Sequence, residues 1–544
     1  MKKLISVLLV CSMLLVCLAP AAVAAKVTRV STPVVFVGGQ LDYIYADKND
    51  EESDKLLTGD LPKEALDAVT AAIRPQLMDA FVGKWEGYLD GFYRAALPYY
   101  EGVALNGEGL PDNDTGYDCL KEAEIKNKAV NGRFGIYDYT FVYDWRLDPI
   151  ANAEDLNAFI NDILAVTEKD KVDIIAQGIG AATVLAYLAK YGAEKVSELV
   201  IDNAALEGSD VFGAMFSGDI TQDADKLATF VAQARRNNTL LQVVKQNIDP
   251  DNWETLSSVK VTRAVYGKLY EIAIPRLMRS VFATMPGIWS MIPDAYYDAA
   301  IDGVFNSFEA AEENAGLIDK IDAYHNGVAV RAAEILTEAE ENGVNIYLIA
   351  NYGFQMIPVN AASGQSDVYT GIGSQTLGVT AAAYGKTLDA EYLAEADAAY
   401  VSADKELDAS TGAFADHTWL IKNLEYREKP EALDDLFVSI LNFNGYTNVS
   451  DLEEYPQFLF CSNDRTDVSS LKESGGSEYA EEQQENDSAS KLTLPNIFTF
   501  IRNFIESIVK LVTTVIKTGQ TTDFAEIFSN HPITDMVEEE MSNP

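Results

Sequence analysis

The sequence has little histidine, little cysteine and few cations for its 544 residues. Its 3 histidines, His325, His417 and His531, lie far apart, and its 4 cysteines match no ligand spacing, so we expect neither a metal site nor a cofactor. The chain has 41 lysines and arginines against 84 acidic residues, a net charge of −43. This charge argues against nucleic acid, or an anionic membrane bound through charge, as a partner.

Residues 1–25 are typical of a secretory signal peptide. Two lysines precede an apolar core, Leu4 to Leu18, and Ala22-Val23-Ala24 provides a small-residue cleavage site. The apolar run is too short for a transmembrane span. We therefore expect a secreted or cell-surface protein of bacterial type. Its mature chain keeps only Cys119 and Cys461, and the sequence leaves open whether they pair.

The most informative stretch runs from Lys171 to Tyr191, KVDIIAQGIGAATVLAYLAKY. Val172 to Ala176 is a short run rich in β-branched residues and predicts a buried strand, whereas Ile179 to Tyr191 has helical spacing. The turn between them contains Gly178 and Gly180. A tight strand-turn-helix can carry a nucleophile in the pattern G-x-S-x-G, and on that pattern Gly178 occupies the serine position.

Strands alternate with helices around this stretch, which indicates an α/β fold with a mostly parallel sheet and helices on both faces. The predicted strands are 33–38, 137–143, 172–176, 196–201, 344–350 and 418–424, and a helix is predicted for 153–169. From about 206 to 342 the pattern is helical without a clear strand, so we expect a helical insertion there. Most of 354–416 has no assignable pattern.

The C-terminal part differs in composition from the main domain, which we place at 26–461. Residues 462–491 are dominated by Ser, Glu, Asp, Gln and Gly, which is typical of a linker. Leu494 to Thr518 carries one apolar stripe and predicts an amphipathic helix, within a C-terminal helix and tail at 492–544. This helix either packs on the domain or lies at a membrane surface, although its few cations make the electrostatic attraction weak.

Four segments have a characteristic order and spacing: PVVFVGGQ at 33–40, YDWRLDP at 143–149, the turn at 176–180 and MPGIWSMIP at 285–293. Together they resemble the lecithin:cholesterol acyltransferase-like branch of the α/β-hydrolases, especially its secreted bacterial esterase- or lipase-like members. The resemblance implies an α/β-hydrolase fold with a helical cap at about 206–342. It also implies a serine nucleophile, a later acid, a histidine later still, and a lipid or other ester substrate.

The residues at the implied catalytic positions depart from that pattern. Gly178 stands at the nucleophile position and has no side chain with which to attack. The resemblance places the acid at Asp404, with Asp408 in reserve. The histidine position falls on Tyr426, a poor base at neutral pH because tyrosine titrates near pH 10.

The backbone donors implied by the resemblance do not depend on side chains. The glycines after the first strand and the turn at Gly178 would present the N–H groups of Gln40 or Leu41 and of Ile179 to an oxyanion. A rival acid and histidine, Asp464 and His531, have the expected order, but they lie in the linker and beyond the terminal helix.

Three hypotheses for function follow. The first is a secreted pseudoenzyme of the lipase or acyltransferase type that binds a lipid or other apolar ester-like molecule under the cap. The second is an active serine-type esterase, lipase or acyltransferase whose nucleophile is displaced. The third is a cell-surface structural or interaction protein. The sequence gives no oligomeric state.

Overall fold

The computed structural model describes residues 32–39, 44–47, 71–72, 86–112, 115–116, 138–221, 268–359, 364–426, 430–463 and 465–472. All of them belong to one of the two compact units of the chain, Met1–Val244 with Ser257–Glu481. The predicted signal peptide and terminal helix lie outside the described residues. So do Gln40, Leu41, Cys119, Asp464 and His531.

A central sheet organises the described part of the chain. The strands are β1 (Val34–Val37), β2 (Tyr139–Phe141), β3 (Val172–Gln177), β4 (Val196–Asp202), β5 (Asn345–Tyr352), β6 (Phe354–Gln355), β7 (Gln365–Ser366), β8 (Thr380–Ala381), β9 (Leu407–Asp408), β10 (Thr418–Lys422), β11 (Phe458–Cys461) and β12 (Val468–Ser470). Eight of these form one sheet in the order β2-β1-β3-β4-β5-β10-β11-β12, and every neighbouring pair is parallel except β11 and β12. The predicted α/β architecture with a mostly parallel sheet is confirmed.

The described helices surround this sheet. They are α1 (Glu86–Tyr100), α2 (Pro149–Thr167), α3 (Gly180–Tyr191), α4 (Asp210–Ser217), α5 (Ile274–Ser280), α6 (Pro286–Trp289), α7 (Asp294–Val304), α8 (Phe308–Glu313), α9 (Ala315–Gly327), α10 (Ala332–Glu341), α11 (Ile372–Thr376), α12 (Ala390–Glu395) and α13 (Asp434–Leu441). None of them is long and apolar enough to cross a membrane.

Side-chain alternation along the strands produces two apolar layers, because successive residues of a strand point to opposite faces. On one face, Val35, Ile174 and Leu348 join a cluster with residues of α2, α3 and α10. On the other face, Val34 and Ile175 join a cluster with residues of α13. The central strands are buried on both faces, which explains why their sequences are continuous apolar runs.

Between β4 and β5 the described residues, 206–221 and 268–342, contain helices joined by turns and no strand. The last of these helices, α10, packs against α3 and β5, so it covers the sheet.

The beginning of the predicted linker is wrong. Residues 468–470 form β12, which pairs with β11 in antiparallel register, and Val468 and Leu471 are buried. Ser469 and Ser470 of this edge strand are partly or fully exposed, as polar residues of an edge strand commonly are. The sequence from 473 onwards lies outside the described residues.

The order of the strands reverses around β1. The chain passes from β1 outward to β2, returns to β3 on the other side of β1, and then continues outward through β4 and β5. In open α/β sheets, ligands bind at such a reversal, in the crevice outside the carboxyl ends of the strands. Here the crevice lies beside Gly39, after β1, and Gly178, after β3.

Candidate functional site

The turn after β3 has the expected strand-turn-helix form. β3 is buried along its whole length, Gly178 has a φ of 55°, and α3 begins two residues later at Gly180. A left-handed φ is readily adopted by glycine. The Gly178 N–H donates to the Asp202 carbonyl oxygen at 3.0 Å, which ties the turn to the end of β4.

The loop after β1 and the turn after β3 pack main chain against main chain. A Cβ atom on Gly39 would lie 2.5 Å from the Ile179 nitrogen, and one on Gly180 would overlap the Val37 carbonyl oxygen. Glycine is therefore required at both positions for this close approach. The contact fixes the backbone on which an oxyanion site would depend.

Tyr426 lies over Gly178. A Cβ atom built on Gly178 would stand 3.3 Å from the Tyr426 hydroxyl oxygen and 3.9 Å from the Gly39 carbonyl oxygen. The Tyr426 ring also meets the edge of Tyr369, with ring centroids 5.6 Å apart. The structure thus brings together two of the three residues that the sequence placed at catalytic positions.

Asp404, the third predicted residue, is engaged elsewhere. Its carboxylate pairs with Lys422 at 2.7 Å and accepts a hydrogen bond from the Ser402 hydroxyl at 2.7 Å. The reserve candidate, Asp408, accepts from the Tyr392 hydroxyl at 2.8 Å. The carboxyl group whose charge acts on Tyr426 is a different one, Asp367.

Asp367 directly follows β7 and is almost fully buried. Its carbonyl oxygen accepts the Tyr426 N–H at 3.0 Å, and its Oδ1 accepts the N–H groups of Tyr369 at 2.9 Å and Thr370 at 2.6 Å. Its Oδ2 has no hydrogen-bond partner among the described residues. Asp367 is therefore joined to Tyr426 through the backbone, its charge acts on the Tyr426 hydroxyl, and one of its carboxyl oxygens is unsatisfied.

The environment shifts the pKa of both groups. Burial raises the pKa of Asp367 to about 7, against the opposing effect of the N–H groups of Thr370 and Tyr369 and of the neighbouring Asn203 side chain. Burial and the Asp367 charge raise the pKa of the Tyr426 hydroxyl above its ordinary value. Tyr426 therefore stays protonated at neutral pH and can donate a hydrogen bond but cannot act as a base.

The backbone beside Asp367 is strained. Val368 has a φ of 93°, an outlier for a β-branched residue. Such strain persists only where the surrounding structure holds it, and it is concentrated at functional sites. Here the Asp367 carboxylate, the Ser366 hydroxyl oxygen bonded to the Val368 N–H, and the Ile357 N–H bonded to the Val368 carbonyl oxygen hold the loop.

Sequence reasoning missed Asp367 because it lies in the stretch 354–416, which shows no period. A usable signal was present. Asp367 is followed three residues later by Thr370 and then by Gly371. This spacing is typical of a turn in which the aspartate carboxylate accepts nearby backbone N–H groups. Only the fold shows that this turn lies beside Tyr426.

A small cavity adjoins Gly178, with a volume of about 20 Å³, close to the room that one water molecule needs. Its lining combines apolar side chains with the polar groups of Asn203, Ser290, Thr370 and Tyr426. Asn203 Oδ1 lacks a hydrogen-bond partner among the described residues. Ile179, one of the two predicted oxyanion donors, also lines the cavity, whereas Gln40 lies outside the described residues.

Neither described histidine lines this cavity. His417 stacks on Tyr446 with centroids 3.6 Å apart, and His325 stacks on Tyr297 at 3.5 Å. Within the described residues no cluster of three or more histidine, cysteine or acidic side chains is arranged to hold a metal ion. Both histidines therefore have packing partners away from Gly178.

Comparison with known proteins adds little. No protein-family profile matches the chain, and no curated protein matches it. Among solved structures, a chain in "The crystal structure of Tle4-Tli4 complex" matches with 12% sequence identity and a TM-score of 0.24, over 59% of this chain and 75% of that chain. Structural similarity at this level supports no conclusion about fold or function.

Proposed function

We propose that this chain is an α/β-hydrolase-type protein of the acyltransferase or lipase-like kind that has lost its hydrolytic triad and binds a small apolar, ester-like molecule. The observation that carries the proposal is the pairing of Gly178 with Tyr426. A glycine takes the nucleophile position, and the Tyr426 hydroxyl lies 3.3 Å from where a Cβ atom would stand. The attacking atom and the proton acceptor are both replaced.

The surroundings of Gly178 support a binding role. The cavity lies at the carboxyl ends of the strands, and side chains such as Leu185, Leu206 and Met291 give it apolar walls. A protonated Tyr426 can donate a hydrogen bond to an ester carbonyl. Because the cavity has room for about one water, we expect a ligand to enter by displacing Ser290 and Met291, which line the cavity and belong to the proposed helical cap.

The experiment has a catalytic and a binding arm. The catalytic arm compares hydrolysis of p-nitrophenyl butyrate by the wild type and by Gly178→Ala, together with labelling by a fluorophosphonate. We expect faint turnover, unchanged by Gly178→Ala, and no covalent adduct. Removing triad residues leaves about 10³–10⁴-fold rate enhancement over water from the oxyanion site and binding. Robust turnover with a phosphonate adduct would refute the loss of the triad.

The binding arm uses ethyl butyrate, a small ester without a chromophore. We expect it to raise the unfolding temperature of the wild type. Leu206→Asp, which places a carboxylate in the cavity wall, should abolish this rise. An unfolding temperature that does not respond to the ester would contradict the binding role.

One observation keeps the displaced-nucleophile hypothesis open to test. Ser290 lines the same cavity, although its hydroxyl donates to the Gly287 carbonyl oxygen at 2.6 Å and neither described histidine lies in the cavity wall. If the phosphonate labels Ser290 and Ser290→Ala abolishes turnover, the protein is an enzyme with a displaced serine.

A further inference from the structure

A second, larger concavity lies in the helical insertion. It is a groove between the end of α4 and α5, with a volume of about 700 Å³, inside the range of about 300–1,000 Å³ that ligand pockets occupy. It shares no lining residue with the cavity at Gly178. The residues that line it are Ser217, Gly218, Ile220, Glu271, Ile272, Pro275, Arg276, Arg279 and Ser280.

Arg279 is the unusual group in this groove. Its Nε donates to the Met215 carbonyl oxygen at 3.0 Å, which fixes the guanidinium beside the end of α4. Its two terminal nitrogens have no acceptor among the described residues. Burial lowers the pKa of Arg279, and no carboxylate among the described residues opposes that shift. In a chain with 84 acidic residues, a half-buried guanidinium without a carboxylate partner among the described residues is unexpected.

The backbone beneath Arg279 is shaped to accommodate it. Gly218 ends α4 with a φ of 82°, and a Cβ atom there would overlap a terminal nitrogen of Arg279. Glycine therefore serves both the left-handed turn and the placement of the guanidinium. The glycine at the C-terminal end of α4 therefore leaves the space that the Arg279 guanidinium occupies.

The other charged groups of the groove are already paired. Arg276 lies 3.9 Å from the centre of the Tyr93 ring and pairs with Asp90 at 2.8 Å. Glu271 is bound by Lys268 at 2.7 Å, which offsets its charge. The groove consequently carries a net positive charge, centred on Arg279.

Apolar surface lies beside this charge. Ile272 is 43% exposed, and Pro275 and Ile220 also line the groove. An exposed isoleucine and a guanidinium whose terminal nitrogens have no acceptor in the described part of the chain suit a molecule with an oxyanion at one end and an alkyl chain at the other. A free inorganic anion would satisfy only the charge.

We propose that this groove binds an anionic amphiphile, with its carboxylate or phosphate on the guanidinium group of Arg279 and its alkyl chain against Ile272 and Pro275. A guanidinium presents paired N–H groups that match either oxyanion. The proposal does not depend on the function of the cavity at Gly178.

The test titrates the full chain by calorimetry with four probes, each below its micelle concentration: octyl phosphate, octanoate, inorganic phosphate and octyltrimethylammonium. We expect octyl phosphate or octanoate to bind at least tenfold more tightly than the other two probes, and the tighter of the two identifies the head group. Equal binding of the cationic probe would overturn the role of Arg279. Equal binding of inorganic phosphate would overturn the role of the apolar wall.

Variants locate the site. Arg279→Met should weaken binding of octyl phosphate about tenfold or more, because it removes charge-assisted hydrogen bonds. Ile272→Asp should also weaken binding, because the new carboxylate repels the anion, and it does so without removing a buried side chain. Arg331→Met is the matched control, because Arg331 pairs with Glu334 outside the groove at 2.9 Å. Unchanged affinity in both groove variants would contradict the proposal, and so would equal loss in the control.

Discussion

Two buried carboxyl groups, Asp367 and Asp404, are held in opposite ways. Asp404 pairs with Lys422, which also reaches Glu406 at 2.7 Å, so positive charge compensates negative charge. Among the described residues, Asp367 has no cation as partner; its Oδ1 accepts two backbone N–H groups, the Asn203 side chain lies near it, and its Oδ2 has no hydrogen-bond partner. Asp404 has the contacts of a group that stabilises the fold, whereas Asp367 has those of a group placed for a ligand or a proton.

The first test, Lys422→Met, asks whether the charge of Lys422 compensates the Asp404 carboxylate. The substitution leaves Asp404 and Glu406 buried without their cation, so we expect a loss of about 3–5 kcal/mol in the free energy of unfolding at pH 7. Urea unfolding measures this loss. The control is Lys190→Met, because the pair of Lys190 with Glu154 is exposed to solvent and should contribute little to stability. Equal losses in the two variants would show that the Asp404 cluster is not a compensated buried pair.

The second test, Asp367→Asn, probes the uncompensated group through pH. The unfolded chain releases this proton near pH 3.8, whereas the folded protein holds it up to about pH 7. The folded state therefore binds more protons between these values, and its stability falls as pH rises through this window, by about 4 kcal/mol for this group alone. Asp367→Asn should remove that fall and be more stable than the wild type at pH 8.

The measurement is the difference between variant and wild type in urea unfolding from pH 4 to pH 8. A difference is needed because burial also raises the pKa of Asp173 to about 7 and of Glu198 to about 8. Asp404→Asn is the contrasting control and should destabilise the protein at pH 8, because it leaves Lys422 with a single carboxylate. If both asparagine variants destabilise the protein equally at pH 8, the two carboxyl groups do not differ as described.

The sequence predicted the parts of the molecule that depend on local pattern. The six predicted strands and the turn at Gly178 appear within a few residues of their expected limits, because buried parallel strands are short apolar runs. The partner of Tyr426 could not be found in this way. Asp367 reaches Tyr426 through a strained loop, and contact between segments about 60 residues apart depends on the tertiary fold. Asp404 was chosen from resemblance alone, and no pattern in the sequence reveals its pairing with Lys422.

The third test concerns the packing of the loop after β1 against the turn at Gly178, and it has the smallest expected effect. Gly39→Ala places a methyl group 2.5 Å from the Ile179 nitrogen, so we expect a loss of about 1–3 kcal/mol by urea unfolding. Gly327→Ala is the matched control, because its Cβ atom would meet nothing within 4 Å. The control should be neutral or slightly stabilising. If Gly39→Ala is neutral as well, the close packing of the β1 loop on the turn is not a constraint.

The most direct test of the central proposal introduces a serine at position 178 and a histidine at position 426, the two groups that the proposal regards as lost. We would measure kcat/KM for p-nitrophenyl butyrate in Gly178→Ser, Tyr426→His and the double variant, each carrying in turn Asp367→Asn or Asp404→Asn. The account predicts that the double variant exceeds both single variants by about 100-fold, the scale of general base catalysis. It also predicts that Asp367→Asn removes most of this gain, whereas Asp404→Asn leaves it intact. A gain that depends on Asp404, or a wild type as active as the double variant, would contradict the account.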